Sequence, residues 1–194
     1  MVTNASACAD LIFGGRSRNS WSDKEVLADT IEQLYEMLKF GPTSMNSSPA
    51  RFRFLMSEGA KVRLAPYLME ANRAKTMKAP CVAIIAYDAA FFEKMPYLFP
   101  IREGVRDLFA GNPALAEATA FRNGTLQGAY LIVAARLLGL DCGPMSGFNA
   151  GGVDAEFFAG TTLRSNFLCS LGYANDAPFP RLPRLPFDEA AGIL

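Results

Sequence analysis

Apolar residues recur along this chain with two different periods. Between residues 23 and 40, Val26, Leu27, Ile31, Leu34, Tyr35 and Leu38 fall on one helical face. Ser22-Asp23-Lys24-Glu25 ahead of them has the form of a capping box, with Ser22 as N-cap and Glu25 reaching back. Gly41-Pro42 stops the helix, because glycine tolerates left-handed geometry and proline cannot continue the ladder. The spacing predicts a helix over 23–40. Residues 51–56 alternate Arg51 and Arg53 with Phe52 and Phe54, the pattern of a strand with one polar face. Residues 60–77 are helical in character, with Pro66 tolerated only near a helix start. Cys81-Val82-Ala83-Ile84-Ile85-Ala86-Tyr87 is an unbroken apolar run and reads as a central strand.

The next stretch, 88–112, is aromatic-rich and broken by Pro96 and Pro100. It reads as short helices over a local hydrophobic cluster or as a lid on a pocket. Residues 113–138 form the longest helix candidate, with Pro113 in its first turn. Its many alanines, with Gly124 and Gly128, let a neighbour come close, and one face is expected to serve the core and another a partner subunit. A third strand is expected at 166–173. Pro178, Pro180, Pro183 and Pro186 then make an extended arm, and the interleaved Phe179, Leu182, Leu185 and Phe187 suit an arm lying on a surface. No repeat or linker divides the chain. The expectation is one domain over residues 1–194, α+β, three layers, with one mixed sheet.

Composition narrows the chemistry. The chain has 194 residues, 51% hydrophobic and 20% charged, enough for a sizeable core. Nineteen basic residues balance nineteen acidic ones, which gives no electrostatic case for nucleic acid or an anionic membrane. No apolar run has the length of a membrane span. Residues 1–6 lack a signal-peptide pattern, so a cytoplasmic location is expected and the Asn-x-Ser/Thr triplets at Asn4, Asn46 and Asn123 carry no glycosylation meaning. Cys8, Cys81, Cys142 and Cys169 are far apart and read as reduced structural thiols. Histidine is absent. That excludes Ser-His-Asp and Cys-His catalysis and histidine-bearing metal sites, and no metal is expected. A cofactor that carries the chemistry itself is the economical alternative.

Residues 40–51 pack five small polar residues into the six positions 43–48, closed by Pro49. Such a segment is either a plain solvated loop or one held by hydrogen bonds to a polar ligand. Gly41-Pro42-Thr43-Ser44-x-Asn46-x-x-Pro49 after a helix resembles the second flavin-contacting motif of the nitroreductase superfamily. Three other segments resemble the same family in the same order: 15–21, 139–148 and 181–186. Gly143-Pro144-Met145-Ser146-Gly147-Phe148 and Arg181-Leu182-Pro183-Arg184-Leu185 are most similar to its HadB/RutE branch, which includes the malonic semialdehyde reductase of Rut pyrimidine degradation.

The resemblance implies a nitroreductase-like α-β-α fold, a homodimer, bound FMN, and NADH or NADPH as hydride donor. Carried onto this chain, Arg16 and Ser17 match phosphate and ribityl contacts, and Asn19 matches the residue at the pyrimidine edge of the flavin, more often lysine or arginine. Arg184, with Arg181 as alternative, would complete the phosphate site. Pro42, Thr43, Ser44 and Asn46 match a loop that reaches FMN from the other subunit; Ser48 and Ala50 replace the usual glutamine and tryptophan there. Asn72 and Lys75 match an Asn-x-x-Lys segment beside the flavin, although Asn72 reads equally as a helix-surface amide. Pro144, Met145, Ser146 and Gly147 match the segment beside flavin N5, with Ser146 where many relatives carry glutamate. The implied reaction is two hydride transfers through one site. Ser146 and Arg18 are candidates to protonate the acceptor, and Arg18 also to bind a substrate carboxylate or to form a structural salt bridge. Malonic semialdehyde is the expected acceptor. The alternatives are a broad nitroaromatic or quinone reductase and a non-enzymatic flavin-binding protein.

Overall fold

The computed structural model describes residues 5–194, so the readings of residues 1–4, including the Asn4 triplet, lie outside the described residues. Helix α1 (Ala5–Phe13) leads into an extended segment, followed by α2 (Ala28–Leu38), β1 (Ala50–Leu55), α3 (Glu58–Leu64) and α4 (Glu70–Lys78). Next come β2 (Cys81–Asp88), the short α5 (Met95–Leu98) and α6 (Val105–Ala110), and the long α7 (Pro113–Leu137). The chain closes with β3 (Asp141–Met145), α8 (Ala150–Phe157), β4 (Leu163–Gly172) and α9 (Phe187–Ala190).

The four strands form one sheet in the order β1-β2-β4-β3. β2 is central, as its apolar run predicts. Its side chains alternate between two cores, as the two-residue strand period requires. Cys81, Ala83 and Ile85 face Leu34 and Leu38 of α2 and Leu131 and Ala135 of α7. Val82, Ile84 and Ala86 face Leu64 of α3, Val153 of α8 and Trp21. Helices on both faces make the three-layer α+β architecture. A third cluster gathers Phe91, Met95, Val105 and Phe109 under the 88–112 excursion, where the aromatics pack on each other.

Four details differ from expectation. The sheet is antiparallel throughout rather than mixed: each pairing between the four strands runs antiparallel. The first periodic helix begins at Ala28, and its N-cap is Leu27 without a side-chain cap bond. The capping box does not form because the Ser22 N–H donates to the Tyr173 carbonyl at 2.7 Å, and Val26 is buried in the core. Tertiary pairing overrides the local signal. Pro66 splits residues 60–77, sitting in a short 3₁₀ turn (Ala65–Tyr67) between α3 and α4. β3 and α8 carry no clear signal of their own. β3 contains Gly143-Pro144 and survives as an edge strand, where proline's missing N–H breaks no central ladder. α8 starts Ala150-Gly151-Gly152, whose two glycines are poor helix formers, and is initiated by Asn149, whose side chain accepts from Gly152 N–H at 3.1 Å.

The small residues of α7 face the sheet. A Cβ on Gly124 would lie 2.8 Å from Tyr87 Cβ, and one on Gly128 would lie 2.5 Å from the Phe167 ring. The glycines therefore serve close helix–sheet packing, while Phe121 and Leu126 stay exposed. Among the described residues no helix is long and apolar enough to cross a membrane.

Candidate functional site

The extended segment after α1 runs beside β3. Arg18 N–H donates to the Cys142 carbonyl at 3.0 Å, and a Cβ on Gly143 would meet the Arg18 carbonyl at 2.6 Å. Trp21 Nε1 donates to the Lys75 carbonyl at 3.1 Å, tying the same segment to α4. Asn72 Nδ2 donates to the Gly147 carbonyl at 3.0 Å, and Met69 N–H donates to that carbonyl at 3.1 Å. A Cβ on Gly147 would stand 2.4 Å from Asn72 Nδ2, so a larger residue there would push the Asn72 amide out of this bond. Three sequence-distant motifs, around 16–21, 72–75 and 143–147, are thus stitched together. The arm returns to them, with Arg181 Nη2 donating to the Phe13 carbonyl at 3.2 Å.

Where arm and N-terminal segment meet lies a cleft of about 630 Å³, lined by Arg16, Ser17, Asn19, Arg136, Arg181 and Arg184, with Phe13 and Phe179 as apolar wall. Its size falls within the range of about 300–1,000 Å³ common for small-ligand sites. Four of the lining residues are arginines and none is acidic. Arg16 Nη1 donates to the Gly14 and Gly15 carbonyls, yet its Nε is buried with no partner among the described residues. Arg184 Nη1 donates only to the Leu182 and Pro183 carbonyls of its own arm. A planar guanidinium fork with a buried free donor suits a phosphate or carboxylate. Arg136 was not singled out by the sequence; its only signal is to be the one basic residue in the last turn of α7.

Arg18 points elsewhere. Its guanidinium pairs with Asp141 at 3.3 Å and Asp176 at 3.5 Å and is 16% exposed, a brace between β3 and the start of the arm. At the end of β3, Met145 is buried, and Pro144 and Ser146 are exposed. The Thr76 hydroxyl donates to the Met145 sulfur at 3.3 Å, anchoring that strand end on α4.

Residues 42–46 are held away from this cleft within one chain. Tyr130 Oη donates to the Pro42 carbonyl at 2.9 Å, Asn123 Oδ1 accepts from Ser44 N–H at 2.8 Å, and Asn46 Nδ2 donates to the Leu98 carbonyl at 2.8 Å. Asn46 and Ser48 instead line a separate pocket of about 410 Å³ with Lys39, Phe52 and Tyr97. Met45, Asn46 and Ser48 have φ of 52°, 51° and 39°, a left-handed backbone without glycine.

The buried thiols of Cys81 and Cys169 are not reaction groups. Burial pushes the Cys81 thiol up to about 12. A hydrogen bond to Cys142, then burial, raises Cys169 well above the usual thiol range. Such thiols stay protonated and inert.

A sheet covered by helices on both faces carries a cationic cleft where the N-terminal segment and the C-terminal arm meet, with the size and charge to accept a small anionic ligand. The chain belongs to the nitroreductase family: the model of the "Nitroreductase family" matches residues 16–173. It is 53% identical over 195 residues to "Putative NADH dehydrogenase/NAD(P)H nitroreductase HadB" of Ralstonia pickettii, covering 99% of this chain and 100% of that one. It is 56% identical over 195 residues to a Burkholderia lata protein named in the same way, covering all of both. In fold it matches the crystal structure of "a putative nitroreductase in complex with FMN" from Exiguobacterium sibiricum, with TM-score 0.83, 21% identity, and coverage of 95% of this chain and 96% of that one.

Proposed function

We propose that this chain, acting as one domain, is an FMN-dependent NAD(P)H oxidoreductase that works as a cytoplasmic homodimer and reduces malonic semialdehyde to 3-hydroxypropionate in pyrimidine catabolism. The observation that carries the cofactor is the buried, unpartnered Arg16 Nε in an arginine-lined cleft that holds no carboxylate. The names of the relatives and the FMN complex of the structural neighbour support the same reading. When bound, FMN supplies hydride chemistry at its flavin ring.

The chain's own residues bind and orient. Arg16, Ser17 and Arg184 hold the phosphate end, with Arg181 beside them. Asn19, whose side chain has no partner among the described residues, donates to the pyrimidine edge. Asn72 fixes the Gly147 carbonyl and so sets the course of residues 144–147 past the flavin, with Lys75 one turn further along α4. Residues 42–46 come from the second copy; their position away from the cleft of their own chain supports this. The exposed Phe121, Leu126, Phe179, Leu182, Leu185 and Phe187 supply the apolar surface such a dimer would cover. A mass corresponding to one chain in solution, with FMN bound, would overturn the shared site.

Ser146 sets the acceptor. It is exposed at the end of β3, its hydroxyl has no partner among the described residues, and it carries no charge. A carboxylate there would oppose an acidic aldehyde in a partly dry pocket. Arg18 is committed to two aspartates, so proton delivery falls to Ser146 or water. A second reading, a nitroaromatic or quinone reductase, is favoured by the names of the relatives. A non-enzymatic flavin protein is the third.

The test is spectral and kinetic. Flavin absorbance of the purified protein should bleach on anaerobic addition of NADH or NADPH; an unbleached flavin selects the non-enzymatic reading. kcat/KM is then compared for malonic semialdehyde, a quinone and a nitroaromatic, in the wild type and Ser146→Glu. The substitution should harm the acidic aldehyde more than the quinone. Efficient reduction of only the latter two by the wild type selects the second reading.

A further inference from the structure

Two buried side-chain amides of α7 have no role in the reading above. Asn123 and Gln127 are each 4% exposed and lie one turn apart, on the same helical face. Buried amides are costly unless their bonds are met. Each is followed by one of the glycines that seat the helix on the sheet, giving Asn123-Gly124-Thr125-Leu126-Gln127-Gly128. The glycines bring the helix close, and the residues before them reach sideways to the chain that enters β1. Asn123 Oδ1 accepts from Ser44 N–H at 2.8 Å, and Gln127 Oε1 accepts from Ala50 N–H at 2.8 Å. Asn123 Nδ2 donates to the Thr119 carbonyl at 2.9 Å, which turns the amide oxygen toward the loop.

The two amides therefore grip residues 44–50 at both ends. Between the grips stand Met45, Asn46 and Ser48, all left-handed. That backbone is disfavoured for residues other than glycine and persists only where surrounding structure over-determines it. The loop's own bonds, Asn46 N–H to the Thr43 carbonyl and Ser48 N–H to Thr43 Oγ1, close it internally but do not fix it to the body. Asn123 and Gln127 do, with Asn46 Nδ2 on the Leu98 carbonyl and Asp88 N–H on the Pro49 carbonyl at 2.9 Å as further ties.

We propose that Asn123 and Gln127 are positioning residues: they hold residues 44–50 in the strained shape with which this loop completes the flavin site of the partner subunit. The proposal rests on the FMN reading above. Neither amide touches the cofactor; both act through the Ser44 and Ala50 backbone. The pairing of an amide acceptor with a following glycine, repeated at four residues, is the sequence sign of the device.

Two measurements test it. The first is residue-resolved amide exchange of the FMN-free protein. Ser44 and Ala50 N–H should exchange at least about tenfold more slowly than in an unstructured chain, and Asn123→Leu should release Ser44, and Gln127→Leu Ala50, by about the same factor. The second is FMN affinity. Each leucine variant should bind about tenfold more weakly, whereas Gln127→Glu, which keeps the acceptor oxygen toward Ala50 N–H, should stay within about threefold of the wild type. Folded leucine variants that bind FMN as the wild type does would overturn the proposal. So would a Gln127→Glu variant as weak as Gln127→Leu. Should the leucine variants fail to fold, free exchange at Ser44 and Ala50 in the wild type overturns the grip without them. A wild type that binds no FMN removes the flavin reading and the purpose assigned here; the exchange result separates that failure from failure of the grip.

Discussion

Arg16 and Ser47 each carry a buried polar side-chain atom with no partner among the described residues, Nε in one and Oγ in the other. Their surroundings differ. Arg16 borders an open cleft with three other arginines, Arg136, Arg181 and Arg184, and no acidic residue. Ser47 is fully buried in the turn between the strained residues 45–48, its N–H already given to the Ser44 carbonyl at 3.0 Å. An unmet donor beside open volume is capacity for a ligand. An unmet hydroxyl sealed in a turn is a cost of that turn's shape. The same local observation thus has opposite functional meaning, and the space beside it decides which.

The largest expected effect lies on the cleft side. Arg16→Ala should weaken FMN binding by about 2–3 kcal/mol, the loss of a charge-assisted contact, and change the stability of the FMN-free protein by less than about 0.5 kcal/mol. Calorimetric titration and thermal unfolding measure the two. If stability falls and FMN affinity does not, Arg16 is a structural residue and the contrast with Ser47 collapses. Arg184→Ala should weaken FMN binding by about 1.5–3 kcal/mol and Arg181→Ala by less, because Arg181 already serves the Phe13 carbonyl while Arg184 bonds only its own arm. Equal losses would mean that the arm acts as a unit rather than through one fork.

The loop side answers to pH rather than to ligand. Tyr87 pairs with Ala50 in the β1–β2 ladder, packs against Gly124, and donates its hydroxyl to Glu117 at 2.5 Å. Burial, then the Glu117 carboxylate, pushes its phenol up to about 12 from the usual 10. Between those values the unfolded chain has released the proton and the folded chain has kept it, so stability falls as pH rises. The contribution is whole below pH 10 and is lost as pH rises through about 12. Cys81 adds a limb of the same sign from pH 9. Tyr87→Phe should flatten the part above pH 10 in denaturant melts taken from pH 8 to 12. An unchanged slope would remove Tyr87 as its cause.

The two regions were also unequally legible. Three of the cleft's arginines, Arg16, Arg181 and Arg184, stood in the sequence as motif matches, because a phosphate site favours arginine. Their convergence depends on Trp21 reaching the Lys75 carbonyl and Asn72 reaching the Gly147 carbonyl, contacts between segments 54 and 75 residues apart that no local pattern encodes. β2 was readable from its apolar run. β3 was not, because Gly143-Pro144 spoils strand propensity and only its position at the sheet edge rescues it. The false start of α2 at Ser22 has the reverse cause: a good local cap lost to a backbone bond with Tyr173. Arg136, Asn123 and Gln127 looked like ordinary polar residues of a long helix until the fold showed what they reach.

The smallest effect is the sharpest check on the opening contrast. Ser47 is 0% exposed, and its hydroxyl bonds nothing among the described residues. Ser47→Ala removes the group whose desolvation is uncompensated, a cost of about 1–3 kcal/mol, and leaves a gap the size of one oxygen, which recovers part of that cost in lost contacts. The expected net is a gain of about 0–1 kcal/mol in unfolding free energy, with FMN affinity unchanged within about twofold. Equilibrium denaturation with and without FMN reads both. A loss above about 1 kcal/mol would mean that Ser47 has a partner after all, through a bridging water or the second subunit, since removing one member of a satisfied pair is what costs that much. A fall in FMN affinity without a fall in stability would mean that the turn hands its strain to the cofactor, and Ser47 would then join Arg16 as a group whose missing partner is the ligand.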